Sequence, residues 1–151
     1  MPANLDSTVA TPATLTLLTQ TQHRFYRCLD RFDYDGLLAV TCDDLRWHRQ
    51  GQWLIGHDAL LATMHARPAT QRVAHVITNT FIVESTVDEC STESYMTAYR
   101  FDDGSEHDGP VNIERPFRLD HVITRFRHMA QQGWQIAELV PTPVFQFSGA
   151  S

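Results

Sequence analysis

No apolar run in the 151 residues of this chain approaches the roughly 18 residues that a membrane-spanning helix needs. The opening "MPANLDSTVATPATL" has neither the basic start nor the apolar centre of an export signal, so a soluble, cytoplasmic protein with no membrane partner is expected. Cysteine is scarce. Cys28, Cys42 and Cys90 are odd in number and follow no C-x-x-C spacing, which leaves a disulfide framework or a thiolate metal site without support. The eight histidines include no H-x-H or H-E-x-x-H pattern, and His57 and His65 lack an acidic partner in register, so no metal is expected. No serine lies in a G-x-S-x-G elbow and no glycine cluster precedes a helix, so acyl transfer and nucleotide binding lack their motifs. A formal net charge of −6 argues against a polyanion, and nucleic acid is not expected as a partner.

What is there describes one globular domain. Hydrophobic residues make up 42% of the chain and charged residues 20%, and the length suits a single core. Residues 1–13, rich in Thr, Ala and Pro without periodicity, read as a loose tail; the domain runs from 14 to 147, and 148–151 form a second short tail. Leu15, Leu18, Phe25, Tyr26 and Leu29 recur at helical spacing and predict a first helix ending between Asp30 and Asp33. Asp35 and Gly36 open a short second helix. "LRWHRQGQWLIG" alternates around Gln50 and Gly51 as a hairpin would, and "GHDALLATMHARP" restarts helix, with Asp58 as its expected cap and Pro68 as its stop. Beyond Pro68 the period changes to two. Residues 72–84, 89–101, 115–128 and 133–147 are expected to form long strands of one antiparallel sheet. The resulting class is α+β: a cone-shaped, curved antiparallel sheet with three N-terminal helices packed in its concave face and an apolar pocket at its mouth.

Alternation along 72–84 places Val73, His75, Ile77, Asn79, Phe81 and Val83 on one face. His75 and Asn79 thus sit among apolar neighbours, and a buried imidazole needs a partner for its ring N–H. The acidic residue at the end of the first helix's apolar stripe is Asp30, on the face carrying residues 15, 18, 22, 26 and 29. Packed under the sheet, Asp30 can meet His75. Asp33 and Asp35 read instead as helix-end and turn residues. Tyr26 and Trp47 are placed to line the cone's mouth.

The stretches "FYRCLDRFDYDGLLAV", "LRWHRQGQWLIGHDALLATM", "VAHVITN" and "GWQIAEL", in that order over most of residues 20–140, resemble the nuclear transport factor 2-like superfamily. Within it the chain is similar to the SnoaL-like proteins, scytalone dehydratase and hexachlorocyclohexane dehydrochlorinase. The resemblance implies that Asp30 and His75 form a catalytic dyad, His75 as base and Asp30 as its orienting partner. It also implies inward residues near Asp120 and Val122, and a sheet arginine for which Arg118, Arg125 and Arg127 are candidates, Arg118 sharing strand parity with Asp120. Leu29 stands where scytalone dehydratase has a tyrosine, which argues against scytalone as substrate.

The function expected from this pattern is a cofactor-independent lyase or isomerase acting on a small hydrophobic, cyclic or aromatic-like molecule by dehydratase-like proton abstraction. Two alternatives stand beside it: a non-catalytic small subunit of a ring-hydroxylating dioxygenase, partnered by an iron-containing large subunit, and a small-ligand-binding protein. Self-association as a homodimer or homotrimer is expected through the sheet's outer face, with Val76, Val122 and the C-terminal "PVFQF" as its apolar residues.

Overall fold

The computed structural model describes residues 10–147; residues 1–9 and the tail expected at 148–151 lie outside the described residues. Helix α1 spans Pro12–Arg31, and it begins inside the stretch expected as tail because Thr11 caps it by accepting from the Thr14 N–H and Pro12 supplies a pre-set first turn. It ends at Phe32, in the left-handed region at φ 57°. Helix α2 spans Tyr34–Val40, with Asp33 as its N-cap and Asp35 in its first turn. Both aspartates therefore punctuate the chain as expected, although the cap itself is Asp33.

Strands β1 (Thr41–Arg49) and β2 (Gln52–Ile55) form the expected hairpin. Gln50 and Gly51 both have positive φ, 53° and 77°, the geometry of a two-residue turn that matches the twist of the flanking strands. Helix α3 (Gly56–His65) follows, capped by no side chain. Asp58 lies in its first turn rather than at the cap, because Gly56 at φ 84° already makes the turn into the helix. Only α1 and α2 precede the whole sheet.

Strands β3 (Arg72–Ser85), β4 (Glu89–Phe101), β5 (Arg118–Met129) and β6 (Gly133–Gln146) complete a six-stranded sheet in the order β2-β1-β6-β5-β4-β3. The long strands pair antiparallel, but β1 pairs parallel with β6, so the sheet is mixed and not wholly antiparallel. The returning C-terminal strand inserts beside β1 and joins the two halves of the chain. The sheet curves as an open cone around α1, and the core is made by Leu18, Phe25 and Leu29 of α1 against Val122, Phe126, Ile136 and Leu139 of the sheet. Burying such side chains contributes about 1.5–3 kcal/mol each. Gln22, fully buried among them, donates to Ser94 and Thr124 hydroxyls at 3.1 and 3.2 Å, so its amide is satisfied where an unpaired one would be costly.

Two expectations about facing are corrected. Alternation on β3 fails at Asn79, which adopts φ 58° at a break in the β3–β4 register. Asn is one of the few residues that tolerate this conformation, and the extra residue of the bulge reverses parity beyond it. Thr80 and Ile82 turn inward while Phe81 is 52% exposed. Val122, expected on the outer face for association, is wholly buried in the core. Among the described residues no helix is long and apolar enough to cross a membrane.

Candidate functional site

The inner face of the sheet is arranged in rows, since directly opposed residues of antiparallel strands share a face. Val73 opposes Arg100 nearest the mouth. One step deeper His75, Ala98, Arg118 and Gln146 stand in line across four strands, and below them Ile77, Met96, Asp120 and Pro143. Apart from Ile77, these residues form one wall of a cavity of about 510 Å³. Leu29 and Tyr26 of α1, Trp47 and Arg49 of β1, and Met64 and Arg67 at the end of α3 close the other side.

Asp30 reaches this wall from the last turn of α1. Its Oδ1 lies 2.6 Å from Nδ1 of His75, and its Oδ2 accepts the His75 backbone N–H at 3.1 Å. An ionised carboxylate only accepts, so Nδ1 carries the proton and donates to Oδ1. In the neutral imidazole this tautomer leaves the lone pair on Nε2. Among the described residues it has no hydrogen-bonding partner, and the ring lines the cavity. A carboxylate in a helix's last turn faces the negative end of the helix dipole. The position is held here by the two bonds to His75, and by Arg67, whose Nη1 donates to the Leu29 carbonyl at 2.9 Å and caps the helix end.

Tyr26 stands beside the imidazole, ring centroids 5.1 Å apart and planes at 42°. Burial pushes its phenol far above the ordinary tyrosine value; the Asp120 carboxylate adds to the rise and Arg118 opposes it. Tyr26 is therefore a hydrogen-bond donor and not a base at any ordinary pH. Asp120 is fully buried, and its Oδ2 is ion-paired with Arg118 Nη2. The pair lacks hydrogen-bond alignment, and neither Asp120 oxygen receives a hydrogen bond. Trp47 packs edge-on against Phe25, with centroids 5.5 Å apart.

Of the residues singled out in the sequence, His75, Tyr26, Trp47, Arg118 and Asp120 line this one cavity, with Asp30 directly behind the imidazole. Asn79 does not line it, because the bulge turns it away, and neither does Val122, which sits one row deeper in the core opposite Pro141. Arg125 and Arg127 fall outside it as well; Arg127 instead binds Asp44 at 3.0 Å. Three charged lining residues escaped the sequence reading: Arg49, Arg67 and Arg100. Arg49 ends β1, Arg100 lies near the end of β4 and Arg67 follows α3 by two residues, so no local pattern joins them.

Other chemistry is poorly served. Burial pushes the Cys28 and Cys42 thiols up, away from thiolate reactivity. No group of three or more His, Cys, Asp or Glu side chains among the described residues is placed to hold a metal ion.

Solved structures with the same fold cover most of the chain. A protein from Streptomyces avermitilis, provisionally assigned as a dehydratase of the NTF2-like family, superposes with a TM-score of 0.72 at 14% identity, over 89% of this chain and 99% of that one. A protein from Novosphingobium aromaticivorans, provisionally assigned as an aromatic ring hydroxylase, gives 0.73 at 15% identity over 90% and 93%. A Nostoc punctiforme protein of unknown function with a cystatin-like fold gives 0.69 at 18% over 89% and 94%. At such identities the likeness is one of fold. Among curated proteins the sequence has no match. The sequence profile of the SnoaL-like domain, however, matches residues 15–140, which takes in both members of the Asp30–His75 pair and strands β1 to β5 with the first half of β6: the chain belongs to the SnoaL-like domain family.

Proposed function

We propose that this protein is a cofactor-independent lyase or isomerase in which His75 removes a proton from a carbon of a small cyclic substrate. The observation that carries the reading is the 2.6 Å contact of Asp30 with Nδ1, which fixes the tautomer and turns the basic Nε2 to the cavity. Nε2 takes the proton from a carbon acidified by a neighbouring carbonyl. Asp30 stabilises the imidazolium that forms. Tyr26 and Arg118 offer donors to the oxygen on which charge builds. The proton then leaves Nε2 for the departing hydroxyl, giving dehydration, or for another carbon, giving isomerisation. Apolar lining from Leu29, Val73, Met96 and Phe117 suits the body of such a ring.

Deuterium uptake from heavy water tests this without knowledge of the physiological substrate. Cyclic ketones and β-hydroxy ketones are incubated with the protein, and exchange at the carbon beside the carbonyl is followed by NMR. Exchange that depends on wild-type protein and vanishes in His75→Ala is the expected result. Exchange equal in the two, or none across the panel, overturns it.

A second reading is the accessory subunit of a ring-hydroxylating oxygenase. It is favoured by the sheet's outer face, where Val76, Phe81, Tyr95 and Ile123 are each 40% exposed or more. The same face supports assembly into homodimers or homotrimers. Sedimentation of the isolated protein separates the two: a self-sufficient homo-oligomer fits the enzyme, a monomer in need of a larger partner the subunit.

A further inference from the structure

The cavity carries a charge opposite to that of the protein. Acidic residues outnumber basic ones by 18 to 12, and every basic residue is an arginine. Yet four of those arginines, Arg49, Arg67, Arg100 and Arg118, line the cavity, against a single acid, Asp120. Asp120 is engaged by Arg118 and the Asp30 carboxylate behind His75 acts on Arg67, so Arg49 and Arg100 are the cations left without an acidic counterpart. Among the described residues Arg49, Arg67 and Arg100 have no carboxylate within ion-pairing distance. Each is instead laid against an aromatic face: Arg49 on Trp47 at 5.5 Å, Arg67 on Phe32 at 4.2 Å, Arg100 on Phe117 at 3.8 Å. Stacking fixes the plane of a guanidinium while leaving its N–H edge free to donate.

We infer that the substrate carries a carboxylate, received at the cavity mouth by Arg49, Arg67 and Arg100, while its ring extends inward toward His75. The inference rests on the proposed function for where the ring goes, but not for the anion site itself. Three guanidinium groups around one opening repel one another, and an anion between them relieves that repulsion. Burial first, and then the positive charges of Arg67 and Arg118, hold the Arg49 guanidinium below the ordinary arginine value, so Arg49 already feels two other cations of this cavity. Arg67 already gives one N–H to Leu29, so Arg49 and Arg100 keep the larger share of free donors. Arginine suits a carboxylate because its planar fork donates two parallel bonds. The rows of the sheet set the spacing: Arg100, opposite Val73, stands one row nearer the mouth than His75, so a carboxylate held there leaves the adjoining ring carbons within reach of Nε2.

The test uses 1-naphthoate and its neutral counterpart 1-naphthylmethanol, titrated into isotopically labelled full-length protein at low and at physiological salt. The carboxylate should bind about tenfold or more tightly than the alcohol, with an advantage that shrinks as salt rises. Arg49→Gln and Arg100→Gln should each remove most of that advantage while leaving the alcohol's affinity in place, the amide spectrum confirming the fold. Equal affinity of the two probes, binding of neither at millimolar concentration, or an advantage that survives both substitutions overturns the inference. Deuterium exchange reports separately on the dyad: selective naphthoate binding without exchange sinks the proposed proton abstraction alone, and exchange without carboxylate selectivity sinks the anion site alone.

Discussion

Arg118 and Asp120 stand two residues apart on β5, so both point to the cavity, and among the described residues the arginine is the one cation ion-paired with a carboxylate that has no exposed surface. The pair divides unevenly, since Arg118 keeps 30% of its side chain exposed while Asp120 has none. Removing the arginine strands a buried charge. Arg118→Ala should therefore lower stability by roughly 3 kcal/mol, the low end for a broken buried pair, given the partly solvated partner. The double replacement Arg118→Ala with Asp120→Ala should recover part of the loss. Urea unfolding of the three proteins measures both, and an additive double variant would show that the two side chains do not depend on one another.

Asp30→Asn keeps the shape of the side chain but replaces one oxygen by an NH₂ that cannot accept from His75. The expected result is a folded protein, less stable by about 1–2 kcal/mol, in which the imidazole is no longer held with its proton on Nδ1. Nitrogen-15 NMR of labelled histidine reads the tautomer without a substrate. In any deuterium-exchange or elimination assay the variant should lose about a hundredfold or more. An unchanged tautomer population would remove Asp30 from the role of orienting partner.

Tyr26 gives a pH dependence of known sign. Its phenol is held above its ordinary value of 10.0 in the folded chain, so as pH climbs past that value the unfolded state loses the proton first. Stability due to this group is fully present below pH 10.0 and declines above it. Tyr26→Phe should flatten the decline in unfolding free energy between neutral and strongly alkaline pH. It should also weaken any turnover, because a donor to the developing oxyanion is lost. A variant as steeply alkali-sensitive as wild type contradicts the assignment.

How much of this was legible in the chain depends on the range of the interaction. Periodicity suggested Asp30 and His75, one by ending an apolar helical stripe, the other by its parity on a strand, and the resemblance to the nuclear transport factor 2-like superfamily supplied their pairing. Asp33 and Asp35 were legible as punctuation from the same local pattern. The bulge at Asn79 was not, since a single left-handed residue leaves the alternation of side chains intact in the sequence while reversing it in space. Period two likewise reports which face a residue takes and nothing about which strand lies beside it, so the parallel pairing of β1 with β6 stayed hidden. Arg49, Arg67 and Arg100 converge only after the hairpin, α3 and β4 have packed, and no spacing along the chain encodes that meeting.

Gly36 is tightly enclosed at the start of α2. Its N–H donates to Asp33 Oδ1 at 2.9 Å, and an added Cβ would lie 2.5 Å from Asp33 Oδ2 and 2.6 Å from Cys28 Sγ. Gly36→Ala should therefore displace the capping carboxylate and the thiol together, costing about 1–3 kcal/mol despite alanine's better helix propensity. Thermal melting measures the effect, and a stabilised variant would mean that the junction of α1 and α2 yields easily.

The position of β6 governs when this protein can become itself. On the ribosome, α1, α2, the β1–β2 hairpin and α3 emerge long before the strand that β1 needs on its open side. A two-stranded hairpin is marginal alone, so the apolar stripe of α1 and the inner face of β1 wait uncovered until the final strand is made. Nascent chains halted before Gly133 should be protease-sensitive and prone to aggregate. The seam joining the two halves is made after every other strand of the sheet and supplies Pro141, Pro143 and Phe145 to the cavity. Birth order thus ties completion of the cavity to completion of the sheet.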